Sequence, residues 1–164
     1  MEQTLTQMIN DLKKLITDNP DLIELPQHGE KICNYATSNS YEYLVDFTRN
    51  GHKVKKFTLQ LRDGVNKSQV LIRLDVIGPE HLNPHGNYDC SDKIILTPHI
   101  HFADFPDYGV KVAFNLDDPY VKMGLIEDDL DNTKKIVQEF LKKINVANRL
   151  SLNIFDPEET SLNV

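Results

Sequence analysis

The stretch Thr97-Pro-His-Ile-His-Phe102 sets His99 and His101 two residues apart. On an extended backbone, residues i and i+2 project from one face, so the two imidazoles can share one metal ion or divide one proton transfer. A metal site for zinc or manganese needs a third ligand, and the segment 78–92 offers His81, His85, Cys90 and Asp92. The ligand set expected for that alternative is His99, His101 and His81. Asp75 could orient a ring from the outer shell, while Arg73 nearby would oppose a cation.

A second chemistry needs no cofactor. Cleavage of RNA by its own 2′-hydroxyl requires a base for that hydroxyl, an acid for the leaving oxygen and cations against the growing phosphate charge. His81, His99 and His101 supply acid, base or orientation in this reading. Arg62 and Arg73 hold the phosphate, and Asp75 orients a histidine or an arginine. Against both stands ordinary sheet structure, in which Arg73 pairs with Asp75 and the histidines bond to backbone.

Charge is unevenly distributed. The chain has 18 basic and 25 acidic residues, a net charge of −7, which argues against indiscriminate adhesion to nucleic acid. Yet the segment 51–67 carries Lys53, Lys55, Lys56, Arg62 and Lys67 against Asp63 alone. Such a hairpin suits a phosphate backbone, and equally a solvated edge protected from aggregation. Acid gathers at Asp117, Asp118, Glu127, Asp128, Asp129 and Asp131, a patch able to imitate nucleic-acid charge before a basic protein groove.

These residues need elements to hold them. Leu5, Met8, Ile9, Leu12, Leu15 and Ile16 recur at helical spacing, predicting a helix through residues 2–19 that Pro20 stops. The period then becomes two. Tyr41, Tyr43, Val45 and Phe47 share one face, as do Phe57, Leu59 and Leu61, and Val70, Ile72, Leu74 and Val76. Asn50-Gly51 and Asp63-Gly64 mark the turns between them. Further strands are expected near 94–103 and 110–115. Residues 131–145 form a second helix with Ile136, Val137, Phe140, Leu141 and Ile144 as its stripe and Asp131 or Asn132 as N-cap.

The order predicts an α+β fold: an N-terminal helix, an antiparallel sheet of about five strands, and a C-terminal helix packed on one face of the sheet. One domain spans 1–150, followed by a loose polar tail at 151–164. With Ile100 and Phe102 in the core, alternation sends His99 and His101 to the opposite, open face beside Gln60, Arg62, Arg73 and Asp75.

Apolar residues make up 40% and charged residues 26%, values ordinary for a soluble domain. No apolar run is long enough to span a bilayer, and the first residues lack a secretory signal. Two distant cysteines give no disulfide framework. A cytoplasmic protein is expected.

The stretches Arg73-Leu-Asp-Val-Ile-Gly-Pro-Glu-His-Leu-Asn-Pro-His-Gly86 and Pro98-His-Ile-His-Phe102 resemble an uncharacterised family of small proteins from Gram-positive bacteria and their mobile elements. The likeness covers about residues 38 to 145, with His85 where aspartate is usual. It rests on Arg62, Arg73, Asp75, Gly78, Pro79, His81, Asn83, Pro84, Gly86, Pro98, His99 and His101. The family implies no established activity, while its mobile-element setting implies toxin, defence or counter-defence roles. The leading expectation is an RNA-cleaving or RNA-binding toxin-like protein whose partner is RNA or a protein such as an antitoxin. The alternatives are a non-catalytic inhibitor of a host nucleoprotein acting through the acidic patch, and a metal-dependent hydrolase.

Overall fold

The structure, a computed structural model, describes residues 2–53, 55–125 and 127–161. Helix α1 spans Glu2–Asn10, followed by short strands β1 (Leu15–Ile16) and β2 (Leu22–Glu24). Four long strands follow: β3 (Glu30–Thr37), β4 (Glu42–Asn50), β5 (Lys56–Asp63) and β6 (Val70–Ile77). A two-stranded ribbon comprises β7 (His81–Leu82) and β8 (Ile94–Ile95). Strands β9 (His99–Phe102) and β10 (Phe114–Asn115), helix α2 (Thr133–Lys143), strand β11 (Asn153–Phe155) and helix α3 (Pro157–Ser161) complete the elements of the described residues.

The α+β class holds, with a larger sheet than five strands. Seven strands pair in the order β1-β3-β4-β5-β6-β9-β10, every pairing antiparallel. The apolar face carries the row Ile32–Phe47–Leu59–Leu74–Ile100–Phe114 across six strands. Met8 and Ile9 of α1 and Ile136, Val137, Phe140 and Leu141 of α2 join that face in one core. Burial on this scale supplies the main stabilisation, since each fully buried large aliphatic side chain contributes about 1.5–3 kcal/mol. The expected N-cap of α2 is Asn132, whose side chain accepts from Lys135 N at 3.1 Å.

The first helix is shorter than its periodicity suggests. Lys14 is fully buried, and its ammonium donates to the carbonyls of Ile9 and Asp11 at 3.2 and 2.8 Å. Those bonds satisfy carbonyls that the end of a helix leaves open. The chain then turns into β1, whose Leu15 and Ile16 pair with Thr37 and Ala36.

Of the stretch expected as a loose polar tail, residues 151–161 take up strand and helix, and 162–164 lie outside the described residues. Strand β11 pairs in parallel with β2. Beyond it, Arg49 Nη1 and Nη2 donate to both carboxylate oxygens of Asp156 at 2.7 and 3.0 Å, and Nη1 also reaches the Pro26 carbonyl at 2.9 Å. No helix among the described residues is long and apolar enough to cross a membrane.

Candidate functional site

Register brings four of the expected site residues together. Asp75 of β6 stands opposite His99 of β9, and Arg73 stands opposite His101. Two polar rows therefore cross the sheet on the face opposite the helices. One runs Cys33–Asp46–Gln60–Arg73–His101, the other Lys31–Thr48–Thr58–Asp75–His99.

The expectation that the histidines lie on an open face is overturned. His99 is 2% exposed and His101 is fully buried, and all four residues of β9 are buried. Two backbone segments cover them. His101 Nδ1 donates to the Val110 carbonyl at 2.8 Å, and His99 Nδ1 donates to the carbonyls of Ile95 and Leu96 at 3.2 and 3.3 Å. Asn83 locks the covering layer: its amide bonds to the carbonyls of Cys90 and Ala113, and its carbonyl accepts from Ala113 N at 2.8 Å. Gly86 permits close packing there, because an added Cβ would collide with the Tyr108 hydroxyl and lie 2.8 Å from Tyr88 Cε1.

With both Nδ1 atoms turned outward to carbonyls, both Nε2 atoms turn toward Asp75. Asp75 Oδ2 lies 3.0 Å from His99 Nε2 and 3.3 Å from His101 Nε2, while Thr58 Oγ1 donates to Oδ1 at 3.1 Å. Arg73 Nε donates to Asp75 Oδ2 at 3.2 Å, and its Nη2 lies 3.1 Å from His101 Nε2. A guanidinium can only donate, so that shorter contact assigns His101 the neutral tautomer with its proton on Nδ1. Burial lowers the proton affinity of His101, and Arg73 lowers it further against the pull of Asp75. Both nitrogens of His99 face oxygen atoms, the carbonyls of Ile95 and Leu96 at Nδ1 and the Asp75 carboxylate at Nε2. Burial alone would raise the Asp75 carboxyl, but the contacts with His101 and His99 and the charge of Arg73 hold it far below the usual carboxylate range.

His81 is the more accessible histidine of the three. Its ring centroid lies 5.0 Å from that of His101 and 6.1 Å from that of His99, and its Nε2 donates to the Lys111 carbonyl at 2.7 Å. His85 and Asp92 instead form an exposed pair at 2.7 Å, and Cys90 is buried against the Ala113 carbonyl. Neither joins the cluster among the described contacts.

Arg62 sits further along the polar face and is committed to Asp46, with Nε 2.5 Å and Nη2 3.0 Å from its carboxylate oxygens. Arg62 Nη1 also donates to the Lys67 carbonyl at 2.9 Å. Burial works against the Asp46 carboxylate, but hydrogen bonds from Arg62 and Gln60 keep its pKa lowered. Of the hairpin lysines, Lys56 lies on the polar side of β5, in alternation with Thr58, Gln60 and Arg62. Lys53, Lys55 and Lys67 are exposed in the flanking turns. Of the acidic patch, Asp128 and Asp131 lie exposed in the 3-10 turn Glu127–Asp131 before α2.

Sequence reading missed Thr58, Asp46, Lys31 and Tyr35. Thr58 and Asp46 were visible as polar members of alternating strands. Lys31 and Tyr35 were hidden because β3 itself went unrecognised.

The fold and this cluster define an α+β protein with a seven-stranded antiparallel sheet whose polar face ends in a covered histidine–aspartate–arginine site. The chain belongs to a family of unknown function (DUF6978), which matches residues 1–146. No curated protein and no solved structure matches it.

Proposed function

We propose that the protein binds and cleaves RNA on the polar face of its sheet, with Arg73 and His81 as the groups that meet the scissile phosphate. The observation carrying this reading is the continuity of the cluster with an accessible cationic and aromatic sheet surface. Lys31 and Arg73 have side chains 48% and 36% exposed, Lys56 is exposed, and Tyr35 is 54% exposed on the same side of β3 as Lys31 and Cys33. A sheet face with cations for phosphates and an aromatic for stacking is a common way to hold single-stranded RNA.

Burial redistributes the roles within the cluster. His99 and His101 are too enclosed to reach a polymer, so they position Asp75 and Arg73. Proton transfer falls to His81: its Nδ1, unprotonated when Nε2–H is held by the Lys111 carbonyl in the neutral ring, takes the 2′-hydroxyl proton while water protonates the leaving 5′-oxygen. Arg73 supplies the bidentate cation against phosphate. A toxin-like role in the cytoplasm accords with the resemblance to proteins of mobile elements. In this reading the Arg73-Leu-Asp75 and Pro98-His-Ile-His101 stretches mark the site-bearing strands.

The test is purified protein on total RNA, with EDTA in one arm and added Zn²⁺ or Mn²⁺ in another. Wild-type cleavage in either arm, reduced about 10²- to 10⁴-fold by His81→Ala, supports the reading. No cleavage in any arm overturns it and favours the inhibitor alternative.

A further inference from the structure

The two Nε2 atoms and Asp75 Oδ2 meet in a way that ordinary cross-strand pairing does not require. We infer that Asp75, His99 and His101 form a divalent transition-metal site, with zinc or manganese as the class of ion and Arg73 as its built-in competitor. The ligand set differs from the one expected of the sequence, since Asp75 replaces His81 as third donor. The inference stands on geometry and is independent of the RNA reading.

Spacing is the first argument. The three donor atoms lie within 4.8 Å of one another, and two of the three separations are 3.0 and 3.3 Å. A tetrahedral zinc ion with bonds of about 2.0–2.1 Å has ligand–ligand edges of about 3.3 Å. The donors therefore stand close to where coordination would put them.

Orientation is the second. Metal-ligating histidines characteristically give their other ring nitrogen to a carbonyl or carboxylate, which fixes the tautomer and aims the lone pair. Both histidines do this, through Val110 for His101 and through Ile95 and Leu96 for His99. The carboxylate is steered likewise, with Thr58 on Oδ1 leaving Oδ2 to face the imidazoles. All three ligands sit on paired strands, so little ordering remains to be done when an ion enters.

Arg73 is the third argument. Its guanidinium bridges Asp75 Oδ2 and His101 Nε2, the same lone pairs an ion would use. The site thus already holds positive charge at that point. A partly exposed arginine can swing out toward the sheet surface when an ion takes its place, and there it meets an incoming anion. A fourth position is left to water or to a bound anion, since His81 Nε2 is held by the Lys111 carbonyl.

The experiment uses the full chain stripped with EDTA and titrated with Zn²⁺, Mn²⁺ or Co²⁺ against a chromogenic chelator. The Co²⁺ visible spectrum reports coordination number. We expect one ion per chain, a four-coordinate Co²⁺ spectrum, and affinity reduced about 100-fold or more in His101→Ala and in Asp75→Asn. Arg73→Gln, which removes the competitor and keeps all three ligands, should bind at least as tightly as wild type, and about tenfold tighter if Arg73 contributes one charge-assisted contact. Circular dichroism establishes that each variant is folded, and Arg73→Gln keeps the test valid if the ligand variants are not. No binding of any of the three ions by wild type and Arg73→Gln would overturn the assignment. Binding unchanged by Asp75→Asn and His101→Ala would overturn it equally. Because the readout is metal binding, inactivity toward RNA does not bear on it, and failure to bind metal leaves the RNA reading standing.

Discussion

Asp75 and His99 face each other across β6 and β9, and the carboxylate Oδ2 lies 3.0 Å from the His99 Nε2. Around that contact Asp75 also meets Arg73, His101 and Thr58, so one partly buried carboxylate organises three cationic or cation-binding groups. Its removal leaves the Arg73 guanidinium and two buried imidazoles without their shared acceptor. Asp75→Asn should cost roughly 3–5 kcal/mol of unfolding free energy. Adding His99→Leu should cost less than the sum of the single changes, by about 1 kcal/mol or more. Urea denaturation of the four proteins measures this coupling, and strict additivity would show that the two groups do not act as a unit.

The chain end is fastened through Arg49 and Asp156, whose side chains are 10% and 3% exposed. Asp156→Ala strands a buried guanidinium and should lower stability by roughly 3–5 kcal/mol. Arg49→Met with Asp156→Leu should restore part of the loss, because both charges then leave the interior together. Thermal denaturation that leaves the Asp156→Ala midpoint unmoved would contradict this account of the C-terminal strand.

Lys14 gives a pH signature. Burial lowers its pKa to about 8 from an ordinary 10.5, with Asp11 opposing. Between those values the unfolded chain holds the proton more tightly than the folded one, so this residue makes unfolding free energy rise with pH. Below pH 8 both states are protonated and the effect is absent. Comparison with Lys14→Met isolates it: the stability difference should move in favour of wild type by up to roughly 3 kcal/mol between pH 8 and 10.5. A difference that stays flat over that range would mean that the lysine is solvated in the folded state.

RNA binding on the sheet face should depend on the lysines that share it. Lys31→Glu and Lys56→Glu should each weaken affinity for a single-stranded oligonucleotide and shrink the log–log salt slope by about 0.7. Lys67→Glu lies in the β5–β6 turn and should have a smaller effect. Filter-binding titrations across a range of salt concentrations check both. Equal effects at all three sites would point to non-specific attraction.

Alternation made β4, β5, β6 and β9 legible, and with them the grouping of Arg73, Asp75, His99 and His101 on one side. Strand β3 was not legible because its inward positions are Ile32, Asn34 and Ala36, a polar and a small residue where an apolar pattern was sought. Residues 11–19 misled in the opposite direction, since Leu12, Leu15 and Ile16 keep helical spacing although Lys14 ends the helix. The covering of the histidines depends on the carbonyls of Ile95, Leu96 and Val110. Backbone groups carry no residue identity, so no sequence pattern could have announced them. Hence residues that meet in the fold were grouped, while the accessibility of His99 and His101 was inverted.

The most direct test of RNA cleavage at this cluster is a DNA oligonucleotide carrying a single internal ribonucleotide, incubated with wild-type protein and with Arg73→Ala and His81→Ala. The account predicts one cut, on the 3′ side of the ribonucleotide, leaving a 2′,3′-cyclic phosphate. It also predicts losses of about 10²-fold or more in both variants. An all-deoxy strand cut equally well, or a ribonucleotide strand left intact by stoichiometric protein, would contradict it.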